Sequence, residues 1–239
     1  MKSNFGFILI KPQLSENIGA CARSIKNFGF SKLTIVSPKN LIPNPKVKAT
    51  SVGAYDIIKK AKIYDKVERA IEKFNIIVSL SARKRDINKK HISMNNLERL
   101  IRSNKNKKIG FMFGPEASGL SNHDLSFSNY ILQIPTSKNF KSLNLSHSLT
   151  LICYEIFKIL NFSKFKKDTK NIKSPTKGQI SALLTHLINL LEKKDFFMPV
   201  EKKQSMLLNV HNLIYRLEPS DKELRIFASI ISALSEKKY

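Results

Sequence analysis

The stretch IGFMFGPEASGL, which spans Ile109–Leu120, joins an apolar run directly to a turn. Its first five residues, Ile109–Phe113, predict a buried strand, because the run is short, apolar and followed by a turn signal. Gly114 and Gly119 permit unusual backbone angles, and Glu116 places a carboxylate between them. Ligands bind beyond the carboxyl ends of the strands in an open parallel sheet. The stretch therefore predicts a ligand-holding turn, with a purely structural turn as the alternative.

Apolar runs and helical spacing alternate on both sides of this stretch. Further strands are predicted at Phe5–Ile10, Leu33–Val36, Ile76–Leu80 and Tyr130–Ile134. Helices are predicted at Asn17–Phe28, Thr50–Lys60, Asp65–Phe74, Ser93–Ser103 and Leu145–Leu160. The polar, basic segment Ser81–Ile92 is predicted to be a loop. This alternation predicts an α/β fold with a mostly parallel sheet covered on both faces.

A change in composition divides the chain of 239 residues. Lysines crowd the region after residue 162, which also contains Ser174-Pro175, and the segments that follow show helical spacing only. These helices are predicted at Gln179–Lys193, Lys203–Leu217 and Asp221–Glu236. We therefore expect an α/β domain at 1–162, a basic linker at 163–177 and a small all-α extension at 178–239.

Two further clusters contain small and polar residues near predicted helix starts. In the first, Asn17 enters a helix, Gly19 lets another backbone approach, and Arg23 lies away from the apolar side. Asn17 could be a simple cap and Arg23 a solvated side chain, or Arg23 could meet a phosphate or hydroxyl group. In the second, Ile134-Pro135 is followed by Ser142–Asn144, where capping alone is again an alternative.

Several classes of protein are excluded by the sequence. It contains neither a dinucleotide-binding G-x-G-x-x-G motif after the first strand nor a Walker A motif. The histidines are not at metal-ligand spacing, so we expect no metal. No apolar stretch reaches the roughly 18 residues of a membrane span, so we expect no membrane. Cys21 and Cys153 suggest neither a disulfide framework nor a metal site, and free thiols fit the cytoplasm.

Charge indicates a polyanionic partner. The chain has 42 Lys and Arg residues against 18 Asp and Glu residues, a formal net charge of +24. Such a field attracts nucleic acid, which proteins bind largely through its phosphates. Because the chain is also rich in Ile and Asn, compositional bias toward Lys is the alternative.

In this order and spacing, the three clusters resemble the SpoU branch of the SPOUT methyltransferases. The first motif, N-x-G-x-x-x-R, is Asn17–Arg23; the second, F-G-x-E-x-x-G-L, is Phe113–Leu120. The third, I-P followed by S-L-N-L-S, comprises Ile134-Pro135 and Ser142–Ser146. The resemblance covers Phe5 to about Leu160.

Further segments resemble the TrmJ-type tRNA 2'-O-methyltransferases within this branch. They are Ser51–Asp56, Leu80–Arg83, Phe196–Pro199, Glu223-Leu224 and Ile230–Leu234. That subfamily methylates the ribose of nucleotide 32 in the tRNA anticodon loop. The resemblance thus implies an S-adenosylmethionine-dependent enzyme acting on tRNA. A ribosomal RNA 2'-O-methyltransferase and a non-catalytic RNA-binding protein of the same fold are the alternatives.

The resemblance also implies a particular site. The domain would contain a C-terminal trefoil knot, and the protein would be a homodimer in which Arg23 completes the partner's site. The residues implied to hold S-adenosylmethionine are Leu80, Ser81, Ala82, Gly114, Ile134, Ser142 and Leu143. The residues implied to contact RNA are Asn17, Arg23, Arg83, Lys84 and Arg85, with the basic linker and helical tail as a tRNA-binding accessory.

Four residues are implied to carry the chemistry: Arg23, Glu116, Ser142 and Asn144. A guanidinium stays protonated at ordinary pH, so we expect Arg23 to hold a phosphate and ease loss of the hydroxyl proton. Ser142 and Asn144 would orient the ribose or cofactor, and Glu116 would fix the turn around them.

Overall fold

A computed structural model describes residues 2–82, 88–162 and 174–235 of the chain. These residues form seven strands: β1 Phe5–Ile10, β2 Leu33–Val36, β3 Lys62–Tyr64, β4 Ile76–Leu80, β5 Lys90–Ser93, β6 Ile109–Phe113 and β7 Tyr130–Gln133. The strands make one sheet in the order β3-β2-β1-β6-β4-β7-β5. Every pairing is parallel, so all strands end at the same edge.

Helices cover the sheet. They are α1 Ser15–Asn27, α2 Pro45–Ser51, α3 Tyr55–Lys59, α4 Val67–Ile71, α5 Met94–Ser103, α6 Asn122–Ser126, α7 Leu145–Phe162, α8 Lys177–Glu192, α9 Lys203–Leu217 and α10 Asp221–Ser235. The predicted α/β class is confirmed, and the all-α tail is present as α8–α10. The trefoil knot stays a prediction.

Alternate residues of each central strand enter different cores. In β1, Phe7 and Leu9 face one core while Ile8 and Ile10 face the other. Because successive side chains of a strand point to opposite faces, a strand that is apolar throughout requires cover on both. This is why the central strands are continuous apolar runs rather than alternating ones.

The first face is covered mainly by α1 and α7 from the α/β domain. Helix α1 also packs closely against α2 at Gly19. A Cβ atom there would lie 2.0 Å from the Thr50 Oγ1 atom and 2.6 Å from the Val47 carbonyl oxygen. The close approach of another backbone that we predicted at Gly19 is therefore made by the neighbouring helix α2.

The second face is covered partly by the C-terminal extension, here α8–α10. Ile180 and Leu184 of α8 and Ile214 and Tyr215 of α9 are buried in one cluster with the sheet. The extension thus shares a core with the α/β domain. The division at 1–162, 163–177 and 178–239 remains a prediction, because residues 163–173 lie outside the described part of the chain.

Two asparagines near the amino ends of the strands fasten the extension. Asn129 accepts a hydrogen bond from the Ile77 N–H and donates one to the Tyr215 carbonyl, both at 2.9 Å. Asn75 accepts from the Lys108 N–H at 2.8 Å and donates to the Ser174 carbonyl at 2.9 Å. Asn129 thus joins β4 to α9, and Asn75 joins the residue before β6 to the segment that leads into α8.

Three local predictions require correction. The predicted helix Thr50–Lys60 is broken into α2 and α3 at Gly53, whose φ of +68° cannot continue a helix. The predicted loop Ser81–Ile92 overlaps strand β5, and strand β3 was not predicted. Both are largely exposed edge strands without the apolar pattern that marks a buried strand.

Candidate functional site

A cavity of about 540 Å³ lies beyond the carboxyl ends of β4, β6 and β7. Its wall combines the residues that end these strands with the loops that follow them. All the residues predicted to bind the cofactor line it: Leu80, Ser81, Ala82, Gly114, Ile134, Ser142 and Leu143. The structure therefore gathers three segments that are distant in sequence around one opening.

Two glycines shape the turn after β6. A Cβ atom at Gly114 would lie 2.3 Å from the Leu120 nitrogen, so only glycine lets the turn close. Gly119 has a φ of +67°, in the left-handed region that side chains disfavour. This turn brings Pro115–Ser118 over the cavity.

Glu116 holds this turn to the loop between β1 and α1. Its carboxylate accepts hydrogen bonds from the Gln13 N–H at 2.8 Å, the Leu14 N–H at 3.2 Å and the Asn17 amide at 2.8 Å. In return, the Ala117 N–H donates to the Gln13 Oε1 atom at 3.2 Å. The carboxylate is thus engaged by three donors, which is the arrangement of a positioning group.

Asn17 continues the connection to the third segment. The Asn144 amide donates to the Asn17 Oδ1 atom at 3.0 Å, while Asn17 donates to Glu116. Asn17 is buried at the third residue of α1, whose N-cap position is Leu14. Its side chain therefore links segments rather than capping the helix, and one hydrogen-bonded chain joins all three sequence motifs.

Asn144 also begins α7. Its Oδ1 atom accepts from the Ser146 N–H at 2.8 Å and the Ser146 hydroxyl at 2.7 Å. The capping explanation and the site explanation therefore both hold for Asn144. Ser142, two residues earlier, is exposed and lines the cavity.

Arg23 lies apart from this cavity in the single chain. It is exposed on α1 and is absent from the cavity wall. Its guanidinium has no hydrogen bond or ion pair with the residues that the structure describes. The next residue, Ser24, makes a 2.6 Å hydrogen bond to Thr150 of α7, which places Arg23 beside the α1–α7 surface.

The basic loop after β4 is only partly described. Arg83, Lys84 and Arg85 lie outside the described residues. Lys89, in the same basic segment, is buried and donates a hydrogen bond to the Ser126 carbonyl at 2.7 Å. Burial lowers the pKa of Lys89 to about 7, with the nearby Arg216 acting in the same direction.

Two participants were missed by the sequence reasoning. Gln13 supplies both backbone and side-chain contacts to the turn around Glu116, and Lys141 lines the cavity. Lys141 could have been found from its position beside Ser142. Gln13 had no comparable signal, because its role depends on a contact across more than 100 residues.

Within the described ranges, no group of three or more His, Cys, Asp or Glu residues could hold a metal ion. The same part of the chain contains no helix that is both long and apolar enough to cross a membrane. Cys21 and Cys153 are buried free thiols.

Comparisons with known proteins identify relatives over nearly the full chain. The SpoU rRNA Methylase family model matches residues 4–154. The tRNA (cytidine-2'-O-)-methyltransferase TrmJ of Methanocaldococcus jannaschii is 31% identical over 218 residues, covering 90% of this chain and 93% of the relative. The tRNA (cytidine/uridine-2'-O-)-methyltransferase TrmJ of Photorhabdus laumondii is 28% identical over 239 residues, covering 99% and 98%.

A solved structure has the same architecture. The crystal structure of TrmJ from Z. mobilis ZM4 matches with a TM-score of 0.87 at 27% identity. The match covers 97% of this chain and 99% of the other, so it includes the C-terminal extension as well as the sheet.

Proposed function

The chain belongs to the SpoU methylase family, and from this premise we propose that it methylates the ribose 2'-hydroxyl of nucleotide 32 in tRNA. S-adenosylmethionine is the methyl donor. The observation that carries the proposal is the cavity, whose wall contains the implied cofactor segments and whose loops are joined by Glu116, Asn17 and Asn144. The tRNA substrate is supported by the TrmJ relatives of Methanocaldococcus jannaschii and Photorhabdus laumondii.

The cavity fits such a cofactor in size and chemistry. Its volume of about 540 Å³ falls in the roughly 300–1,000 Å³ range of small-molecule sites. Leu80, Leu132 and Ile134 offer apolar surface for a purine ring, and loop backbone supplies polar groups. When bound, S-adenosylmethionine supplies an electrophilic methyl group.

The chain's own residues position the reacting hydroxyl. In-line displacement requires close alignment of the reacting atoms, which rigid placement can promote by several orders of magnitude. Ser142 presents a hydroxyl at the cavity wall for the ribose or cofactor. Glu116, Asn17 and Asn144 act one step removed, because their hydrogen bonds fix the loops that form the wall.

Arg23 acts in our proposal on the cavity of a partner subunit. A protonated guanidinium cannot accept the hydroxyl proton, but it can hold the adjoining phosphate and stabilise the developing negative charge. Its position off its own chain's cavity wall supports action across a homodimer. The α1–α7 surface also exposes Leu151 and Tyr154, apolar side chains suited to a subunit contact.

Subunit mixing tests this arrangement. We expect Arg23→Ala alone to lose activity by at least about 100-fold, the loss typical for a group that stabilises developing charge. Gly114→Leu should also be inactive, because a side chain there would clash with the Gly119–Leu120 backbone and keep the turn at the cavity from closing. Random mixing should then restore about a quarter of wild-type activity, since each heterodimer has one complete site. No recovery would show that Arg23 acts within its own chain.

Positively charged residues outside the cavity support tRNA as the polyanionic partner. Residues Lys222 and Arg225 are exposed on α10, and Arg83, Lys84 and Arg85 follow the strand that enters the cavity wall. We propose that the C-terminal extension and the basic loop grip tRNA phosphates. The cytoplasm is the proposed compartment, and the free state of both thiols supports it.

The decisive experiment is methyl transfer to defined RNAs. The purified chain, S-adenosylmethionine and unmodified tRNA transcripts should yield a methylated ribose at nucleotide 32, identified by mass spectrometry of nuclease fragments. Replacing nucleotide 32 of the tRNA with a 2'-deoxynucleotide should abolish the product. Methylation of ribosomal RNA but not tRNA would favour the other enzyme class, and binding without transfer would favour a non-catalytic protein.

A further inference from the structure

The loop between β7 and α7 exposes an aromatic ring beside the cavity. Phe140 is 76% exposed, and its ring has no ring contact with any residue that the structure describes. The three residues that follow it, Lys141, Ser142 and Leu143, all line the cavity. Phe140 therefore lies next in sequence to cavity-lining residues, at the rim of the cavity.

Positive charge flanks this ring. Lys138 and Lys141 are both exposed, and residues 135–144 contain no acidic residue that could neutralise them. Lys141, which lines the cavity, follows Phe140 directly in the chain. Along the backbone, Ser142 lies within about 7 Å of Phe140. The loop thus offers one aromatic face and two ammonium groups close to the site of reaction.

Most phenylalanines of this protein are buried. Among the phenylalanines that the structure describes, only Phe140 and Phe196 are exposed. Phe196 packs edge-on against Phe197. A single exposed apolar residue is ordinary. An exposed ring between lysines at the rim of a cavity is a more specific combination, because proteins bind unpaired nucleotides with aromatic stacking platforms and cationic phosphate contacts.

We propose that Phe140 stacks on a base of the substrate RNA next to the methylated ribose, while Lys138 and Lys141 hold the adjoining phosphates. The inference rests on the proposed function and adds a substrate contact to it. Every base has a π-face, so this contact is tolerant of sequence. Phe140 would accordingly hold an unpaired nucleotide at the cavity without selecting its base.

Two substitutions separate stacking from simple apolar contact. Phe140→Leu keeps an apolar side chain but removes the π-face, whereas Phe140→Tyr keeps the ring. Loss of one base-stacking contact should raise the KM for tRNA about 5- to 150-fold in Phe140→Leu. Phe140→Tyr should stay within about twofold of wild type, because its ring can still stack.

The matched control is Ile63→Ala, which removes an exposed apolar side chain on edge strand β3, away from both the cavity and the C-terminal extension. It should leave the KM for tRNA unchanged. Calorimetry with S-adenosylmethionine should give the same Kd for all four proteins, and size-exclusion chromatography should give the same oligomeric state. As a direct readout, 2-aminopurine beside the target nucleotide should be quenched by wild type and less by Phe140→Leu.

Three results would overturn the inference. The first is an unchanged KM for tRNA in Phe140→Leu. The second is a loss of affinity for S-adenosylmethionine in that variant as large as its rise in KM, and the third is a change in its oligomeric state. The second would make the ring part of the cofactor wall, and the third would make it a subunit contact. Failure of wild type to methylate any tRNA would instead overturn the proposed function, and anisotropy measurements of tRNA binding would still test the stacking.

Discussion

At the carboxyl ends of the strands, Glu116, Asn17 and Asn144 hydrogen-bond loops around an open cavity. At the amino ends, Asn129 and Lys177 are buried where the C-terminal extension packs on the sheet. Both places join distant segments through side-chain amides or charges. The first surrounds a cavity of about 540 Å³, whereas the second lies at a packing contact between the sheet and α8–α9. Polar groups at the two ends should therefore affect different properties: substrate handling at one, stability at the other.

The largest effect is expected at Lys177, at the amino end. Burial lowers the pKa of this lysine to about 7; Glu218 opposes that shift, and Lys89 and Lys107 reinforce it. Its Nζ atom has no hydrogen-bond partner in the described structure, although it lies 5.0 Å from the Tyr215 ring centroid. The folded protein therefore favours the neutral amine, whereas the unfolded chain keeps the proton up to its ordinary pKa of 10.5.

Stability should follow from this difference in proton binding. The unfolded chain binds more protons between pH 7 and 10.5, so the free energy of unfolding should rise with pH across this window. Lys177→Met should be more stable than wild type at pH 6, and its advantage should shrink by about 3 kcal/mol by pH 9. Urea unfolding at both pH values measures this, with exposed Lys193→Met as the control; parallel wild-type and Lys177→Met curves would contradict the prediction.

A smaller loss of stability is expected at Asn129. Replacement by Ala leaves the Ile77 N–H and the Tyr215 carbonyl without their partner in a buried place. Unsatisfied buried groups cost about 1–3 kcal/mol each, so we expect a loss of about 2 kcal/mol or more in chemical denaturation. Asn189→Ala, at an exposed position of α8, should change little. If the two variants were equally stable, Asn129 would not support the assignment of a stabilising role to polar groups at the amino ends of the strands.

The smallest effect is expected at Glu116, at the carboxyl end. In Glu116→Gln, one acceptor oxygen becomes an NH₂ group facing donors from Gln13, Leu14 or Asn17. The loosened turn should weaken S-adenosylmethionine binding about tenfold, which corresponds to about 1.4 kcal/mol. Calorimetry checks this against Glu201→Gln, an exposed substitution in the extension. A variant that binds the cofactor normally but unfolds far more easily would assign Glu116 to stability alone.

The central strands could be predicted from the sequence because burial on both faces leaves a continuous apolar run. Phe5–Ile10, Leu33–Val36, Ile76–Leu80 and Ile109–Phe113 all have the predicted bounds. Edge strands β3 and β5 could not be recognised, since they pair on one side and expose much of their surface. Their positions depend on neighbours rather than on their own composition.

The candidate site was predictable in its membership but not in its connections. The motifs named Asn17, Glu116 and Asn144, yet nothing local indicated that these side chains bond to one another. Hydrogen bonds across about 100 residues are set by the fold. The packing of Ile180 and Tyr215 on the sheet was hidden for the same reason.

The shared core of sheet and extension has a consequence during synthesis. Strands β1, β4 and β6 are complete at Phe113, but part of the cover over Ile8, Ile77 and Met112 arrives only with α8 and α9. Ribosomes add about 5–20 residues per second, so the roughly 100 residues up to Tyr215 take on the order of 5–20 s. For that interval the nascent chain presents an apolar surface to chaperones and to other unfinished chains, and it loses this surface only once α8 and α9 have been synthesised.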